Sequence, residues 1–226
     1  MNRDPDLDVF ANIPDPFDET GAAAGPVARR PDFFAPARAR VRTARAIAFA
    51  AALAYETLWL VVLKTHGGGR PAATIAAGLL IPLVAGVAAL SGAIRRGARG
   101  LGEPVAAIAG ATSGALVLFV MATLLAAPAD VHDGGFWRSA IGCVGVSSLF
   151  AMGPLAFGLH AFRRGFASAS AWRAAALGMA CGACATVMMS VVCPDGGGFH
   201  VLLGHGTAMV LGGAIGALLG PRIARA

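Results

Sequence analysis

The sequence predicts an all-α fold, a polytopic membrane bundle of six transmembrane helices with both termini in the cytoplasm. Three observations lead there. Of 226 residues, 57% are hydrophobic and only 13% are charged, and the mean hydropathy is +0.69, whereas soluble domains run at roughly 45–50% and about 25%. Six apolar stretches, 46–63, 72–94, 104–127, 137–160, 171–192 and 200–220, each come near the ~20 residues that an α-helix needs to cross a ~30 Å hydrocarbon core. The basic residues fall in alternate connections, which orients the bundle.

Residues 1–43 form a first region, distinct from the transmembrane domain expected over 44–221. Seven of the 12 acidic residues and six prolines lie there, so no core can form from it and it is expected to be disordered alone. Within it Leu7, Phe10, Ile13 and Phe17 stand at helical spacing among carboxylates, an arrangement that would present one apolar face to a partner if the segment folded on binding. Pro14 and Pro16 would end that helix early. The first apolar run starts only after this polar region, so helix 1 reads as a permanent anchor and not a cleaved secretory signal. The stretches also lack the period-two alternation of an outer-membrane barrel.

Arg29, Arg30, Arg38, Arg40, Arg42 and Arg45 precede helix 1. Arg95, Arg96 and Arg99 fill the connection between helices 2 and 3, Arg163, Arg164 and Arg173 flank that between helices 4 and 5, and Arg222 and Arg225 follow helix 6. Fourteen basic residues thus face Lys64, Arg70 and Arg138 on the other side, which places both termini in the cytoplasm by the positive-inside rule. The net charge of +6 is accounted for by topology, with no direct binding of nucleic acid. Seventeen of the 18 basic residues are Arg and Gln is absent, in keeping with a GC-rich bacterial genome and the inner membrane of a bacterium.

The helices are rich in small residues, including Gly110, Ser113 and Gly114 in helix 3, Gly178, Gly182 and Ala185 in helix 5, and Gly204, Gly212, Gly216 and Gly220 in helix 6. Small residues let helix backbones approach closely in lipid, so these faces are expected to pack. Short connections leave no room for an extramembrane catalytic domain, and no P-loop, G-x-S-x-G or H-E-x-x-H is present. Gly196, Gly197 and Gly198 read as a flexible turn, and the chain is not expected to be an enzyme.

Charged groups inside a membrane are costly, and Glu56 is the one carboxylate well inside a predicted helix. By helix rise it lies about 10 Å below the outer edge of helix 1, Cys143 about 9 Å into helix 4, and His205 about 7.5 Å below His200 on helix 6. Cys193 is expected at the surface end of helix 5. Four of five histidines, His66, His132, His200 and His205, face outward and His160 faces inward. Thiolate, imidazole and carboxylate ligate zinc and other soft or borderline ions, and two thiols alone could form a regulatory disulfide in an oxidising compartment. Cys143, Cys193, His200 and His205, supported by Glu56, are therefore the candidate site, for a transition-metal ion or for a disulfide. Cys181 and Cys184 form a C-x-x-C, but mid-helix in low dielectric they read as packing.

The C-terminal third carries Arg163-Arg164-Gly165, a small-residue helix 5, then Cys193-Pro194-Asp195, a short loop, and His205 opening a Gly-rich helix. Over residues 137–220 this resembles the negative regulator of sigma F (NrsF-like) family, six-helix inner-membrane anti-sigma factors for extracytoplasmic-function sigma factors; helices 1 to 3 are similar only in hydropathy and length. The resemblance places Cys143 and Cys193 on the family's two outward-facing cysteines. Val192 stands where the family often has His, and His200 could substitute for it. A membrane anti-sigma factor is the implied function, with a sigma factor as partner and release on redox or heavy-metal stress sensed at the outer cysteines. Two other functions fit the residues less well: a small metal or ion transporter using Glu56, Cys143 and His205, and a membrane thiol oxidoreductase using Cys143 and Cys193.

Overall fold

The computed structural model describes residues 35–63, 72–94, 104–126, 135–162 and 170–225. Among them every regular element is helical: α1 (Ala35–Leu63), α2 (Ala72–Ile94), α3 (Val105–Ala126), α4 (Phe136–Phe162), α5 (Ser170–Val192), α6 (Gly198–His200), a π-helical turn (Val201–His205) and α7 (Thr207–Arg225). The last three stack end to end, so the described residues hold six helices long and apolar enough to cross a membrane. These match the six apolar stretches closely. The helix ends differ: α1 starts at Ala35 and so takes in the last nine residues of the region expected to be irregular, and α7 runs through Pro221 to Arg225.

α5 is the central helix, with 72% of its span buried, and α1 is the most peripheral, at 6%. What seats α5 is the absence of side chains. A Cβ on Gly178 would collide with the carbonyl of Gly212, one on Gly182 with Ala208, and one on Gly216 with Ala174, so α5 and α7 touch backbone to backbone. The small-residue faces expected on helices 5 and 6 are thus an interface. Gly110 and Gly114 are not part of one: a Cβ on either would meet nothing within 4 Å, because that face of α3 turns away from the bundle.

Two open carbonyls of α2 are satisfied from α5. Pro82 has no N–H, which leaves the Gly78 carbonyl of α2 without its normal donor. Ser190 Oγ donates to that carbonyl at 2.8 Å. At the opposite end of α2, the guanidinium of Arg173 donates to Ala93 O at 3.0 Å, satisfying one of the carbonyls a helix C-terminus leaves open. α1 is held to α4 by two side chains: Tyr55 donates its hydroxyl to Leu149 O at 2.9 Å, and the Trp59 ring lies 5.9 Å from that of Phe150.

Candidate metal and thiol centre

Three elements converge at the end of the bundle where α5 passes into α6. α4 contributes Cys143, two turns in from Phe136. α5 contributes Cys193, whose N–H still donates to Met189 O at 2.8 Å; the following Pro194 cannot continue the helix. Asp195 Oδ1 then accepts the Gly197 N–H at 3.0 Å, an Asx turn that reverses the chain into α6.

The π-helical turn places the two imidazoles. On an α-helix, His200 and His205 would point about 140° apart. Here the Gly206 N–H reaches back five residues to Val201 O at 2.8 Å, the wider repeat of a π-bulge. His200 and His205 consequently meet, with ring centroids 5.2 Å apart and planes at 89°. Two carbonyls of this stretch accept hydroxyls from neighbouring helices: Ser147 of α4 donates to Gly204 O at 3.0 Å, and Thr186 of α5 to His205 O at 3.1 Å. Gly204 keeps the space open, since a Cβ there would stand 3.1 Å from the Cβ of Cys143 and 3.4 Å from His200 Nε2.

The donor atoms of Cys143, Cys193, His200 and His205 all lie within 4.8 Å of one another. The two sulfurs are 3.6 Å apart and both thiols are free. Cys193 Sγ lies 3.4 Å from His200 Nε2, and His200 Nδ1 lies 3.0 Å from Asp195 Oδ2. Cys193 and both imidazoles are buried, and Cys143 is half-buried. Hydrogen bonding from the Cys143 thiol, and then from His200 and His205, holds the Cys193 thiol far below the usual thiol range, against the opposing effect of burial. His205 is fully buried, with the Cys193 sulfur within reach of its ring.

This donor set fits a soft divalent ion. A tetrahedral zinc-like centre with bonds of about 2.0–2.3 Å to N and S has edges of roughly 3.4–3.8 Å, the range of the sulfur–sulfur and sulfur–nitrogen separations here. Asp195 supplies the carboxylate that orients a ligating imidazole from behind. The same arrangement can also support thiol–disulfide chemistry, since the sulfurs of Cys143 and Cys193 stand 3.6 Å apart.

Four of the sequence-derived residues therefore come together. Cys193 is not at a surface, however: α4 continues past the level at which α5 ends, so the first residue after α5 meets the eighth of α4 and the expected depth mismatch between the sulfurs vanishes. Glu56 does not join the cluster. It lies against α5, within electrostatic reach of Cys181 and Cys184, buried and with neither carboxylate oxygen hydrogen-bonded. Glu56, Cys143 and His205 are thus not one site. Leu7, Phe10, Ile13 and Phe17, like His66 and His132, lie outside the described residues. Asp195, Ser147 and Thr186 were not among the candidates. Asp195 was legible in principle, as a carboxylate two residues after Cys193 and five before His200 on one short turn.

Fold and site together define a multi-pass membrane protein with a thiol–imidazole centre at one end of its bundle. The chain belongs to the negative regulator of sigma F (NrsF) family, whose profile matches residues 28–225. The match extends over α1 to α3, beyond the C-terminal region that carried the resemblance. Neither a curated protein nor a solved structure shows significant similarity to the chain. The family is one of negative regulators of a sigma factor, which implies a sigma factor as partner and points to a regulatory role in place of an enzymatic one.

Proposed function

We propose that the chain holds an extracytoplasmic-function sigma factor at the cytoplasmic face of a bacterial inner membrane and releases it when the thiol–imidazole centre, on the outer face, captures a soft divalent ion. The observation that carries this reading is the convergence of four ligand atoms from α4, the segment after α5, and the π-turn within 4.8 Å. A bond among them ties three elements otherwise held by packing and single hydrogen bonds. A two-state bundle biased at one end can be read out at the other. The physical link runs through the apolar cluster that contains Cys193, Phe150, Met189 and Ala208, against which Cys143 of α4 and Trp59 and Leu63 of α1 pack. α1 leads in sequence to the acidic segment with Leu7, Phe10, Ile13 and Phe17, the proposed sigma-binding peptide. Closure of a Cys143–Cys193 disulfide is the second reading, favoured by the 3.6 Å between free sulfurs.

The test uses full-length protein in lipid nanodiscs with the sigma factor bound. Cadmium should produce sulfur-to-metal charge-transfer absorbance and release the sigma factor. Cys143→Ser and Cys193→Ser should each abolish both, and Cys181→Ser and Cys184→Ser neither. Release that survives in the Cys143→Ser, Cys193→Ser double variant rules the centre out as the sensor.

A further inference from the structure

Cys181 and Cys184 stand about one helical turn apart on α5, and neither belongs to the thiol–imidazole centre. Cys181 is eleven residues from each end of α5 (Ser170–Val192), about 16 Å by helix rise, so the pair lies near the middle of the membrane span. Cys181 is buried and Cys184 is exposed. At this level the surroundings are hydrocarbon, so the central helix of the bundle shows a thiol to lipid. Residues three apart on a helix are neighbours, with Cβ atoms about 5–6 Å apart, close enough for one atom to bridge the two sulfurs.

Glu56 of α1 completes the cluster. It is 5% exposed, and neither of its carboxylate oxygens has a hydrogen-bond partner among the described residues. Both thiols lie within its electrostatic reach. The least buried helix of the bundle thus turns its one carboxyl inward, towards two thiols.

Depth and donor chemistry select the ligand. A charge at the middle of a bilayer is costly, which disfavours a metal ion and favours an uncharged, lipid-soluble molecule. Two thiols a turn apart favour a centre that bonds two sulfurs over an electrophile that takes one. The second bond closes within the protein, which raises affinity by roughly 10²–10⁴ over a single thiol. A carboxylic acid gives a proton at one oxygen and takes one at the other. Trivalent arsenic, as an uncharged organic dihydroxide, meets all three conditions: it dissolves in lipid, exchanges oxygen for sulfur, and needs one proton moved at each exchange.

We propose that Cys181, Cys184 and Glu56 form a membrane-embedded site for uncharged trivalent organoarsenicals, separate from the thiol–imidazole centre and independent of the sigma-factor reading. The Cys184 sulfur, reached from lipid, bonds to arsenic, and one As–O bond breaks. Glu56, as the acid, protonates the departing hydroxide, which leaves as water, and takes up the thiol proton. Cys181 repeats the exchange at the second hydroxyl. One organoarsenic dihydroxide and two thiols become one cyclic arsenic dithiolate and two waters. Arsenic stays trivalent, no electron is transferred and no net charge develops.

The experiment adds phenylarsine oxide to full-length protein in nanodiscs and counts bound arsenic by intact mass after a wash with excess monothiol, with adducts located by peptide mapping. Cys181→Ser and Cys184→Ser should each hold one equivalent fewer than the unmodified protein, with thermal unfolding unchanged in Cys184→Ser, whose side chain is exposed. The Cys143→Ser, Cys193→Ser double variant should keep that equivalent, and dimercaptopropanol, a dithiol, should remove it. A phenylarsine oxide carrying a sulfonate, barred from hydrocarbon, should fail to form the adduct. Glu56→Gln keeps the shape and loses the acid, so adduct formation should slow about 10²-fold, the lower end of general acid–base contributions, with the final count unchanged. An equal count in Cys184→Ser, loss of the adduct to the monothiol, or equal rates with the sulfonated reagent overturns the site. An unchanged rate in Glu56→Gln overturns the role given to that residue. Sigma-factor release by cadmium is read in a different assay, so either proposal can fail while the other stands.

Discussion

At the scale of residues, the centre depends on what stands behind its ligands as much as on the ligands. Asp195 accepts from Gly197 and faces His200 Nδ1, so it shapes the turn and orients the imidazole together. Asp195→Asn keeps the shape and loses the charge. Loss of such an outer partner typically costs 10–100-fold in metal affinity, and cadmium titration of this variant should show a drop of about that size with stoichiometry unchanged. Gly204→Ala is the steric counterpart. Its Cβ would press on Cys143 and His200, so the charge-transfer band should weaken or shift even though no ligand is altered; an identical spectrum would show that α4 yields easily.

At the scale of elements, two features belong to helices and not to single residues. The backbone contact of α5 with α7 leaves no volume at Gly178 or Gly212. Gly212→Ala should therefore destabilise the bundle by at least the ~1–3 kcal/mol of overpacking, measured as unfolding in mixed detergent, whereas Gly114→Ala, in open space, should leave stability unchanged or raise it slightly through helix propensity. The π-turn is the second feature. Its Gly204 and His205 carbonyls accept from Ser147 and Thr186, and hydrogen bonds between helices in a membrane average about 0.6 kcal/mol and reach about 1.7. The Ser147→Ala, Thr186→Ala double variant should lose roughly 1–3 kcal/mol and, more tellingly, the relative placement of His200 and His205. Metal affinity should fall further than stability does.

At the scale of the whole molecule, orientation decides whether the centre faces the outside. Hydrophilic reporters fused at Gly97 or Gly165 should be active as cytoplasmic, and those at Gly68 or Gly134 as periplasmic; the reversed pattern would turn the centre inward and sink the sensor reading. The acidic segment is tested separately. Each of Leu7, Phe10, Ile13 and Phe17 is an anchor worth about 1.5–3 kcal/mol if fully buried in a partner, so their joint replacement by Ser should abolish co-purification of the sigma factor. Unchanged co-purification after deletion of residues 1–20 would move the docking surface elsewhere on the chain.

The sequence alone determined that six helices cross a membrane, and nearly where each begins and ends, because the cost of leaving backbone and charge in hydrocarbon is paid residue by residue along the chain. It also singled out Cys143, Cys193, His200 and His205, since few side chains able to ligate a metal stand in or beside such helices. Only the tertiary structure decided that these four meet while Glu56 stays apart against α5. That outcome hangs on the level at which α5 ends relative to α4, and on a π-turn whose extra residue swings His205 onto the face of His200. Neither has a local signal: the π-turn is braced by Ser147 and Thr186, 57 and 19 residues away in the chain from the carbonyls they bond. Likewise Gly110 and Gly114 carry the same small-residue pattern as Gly178 and Gly182, and which pattern found a partner was settled by the packing of whole helices.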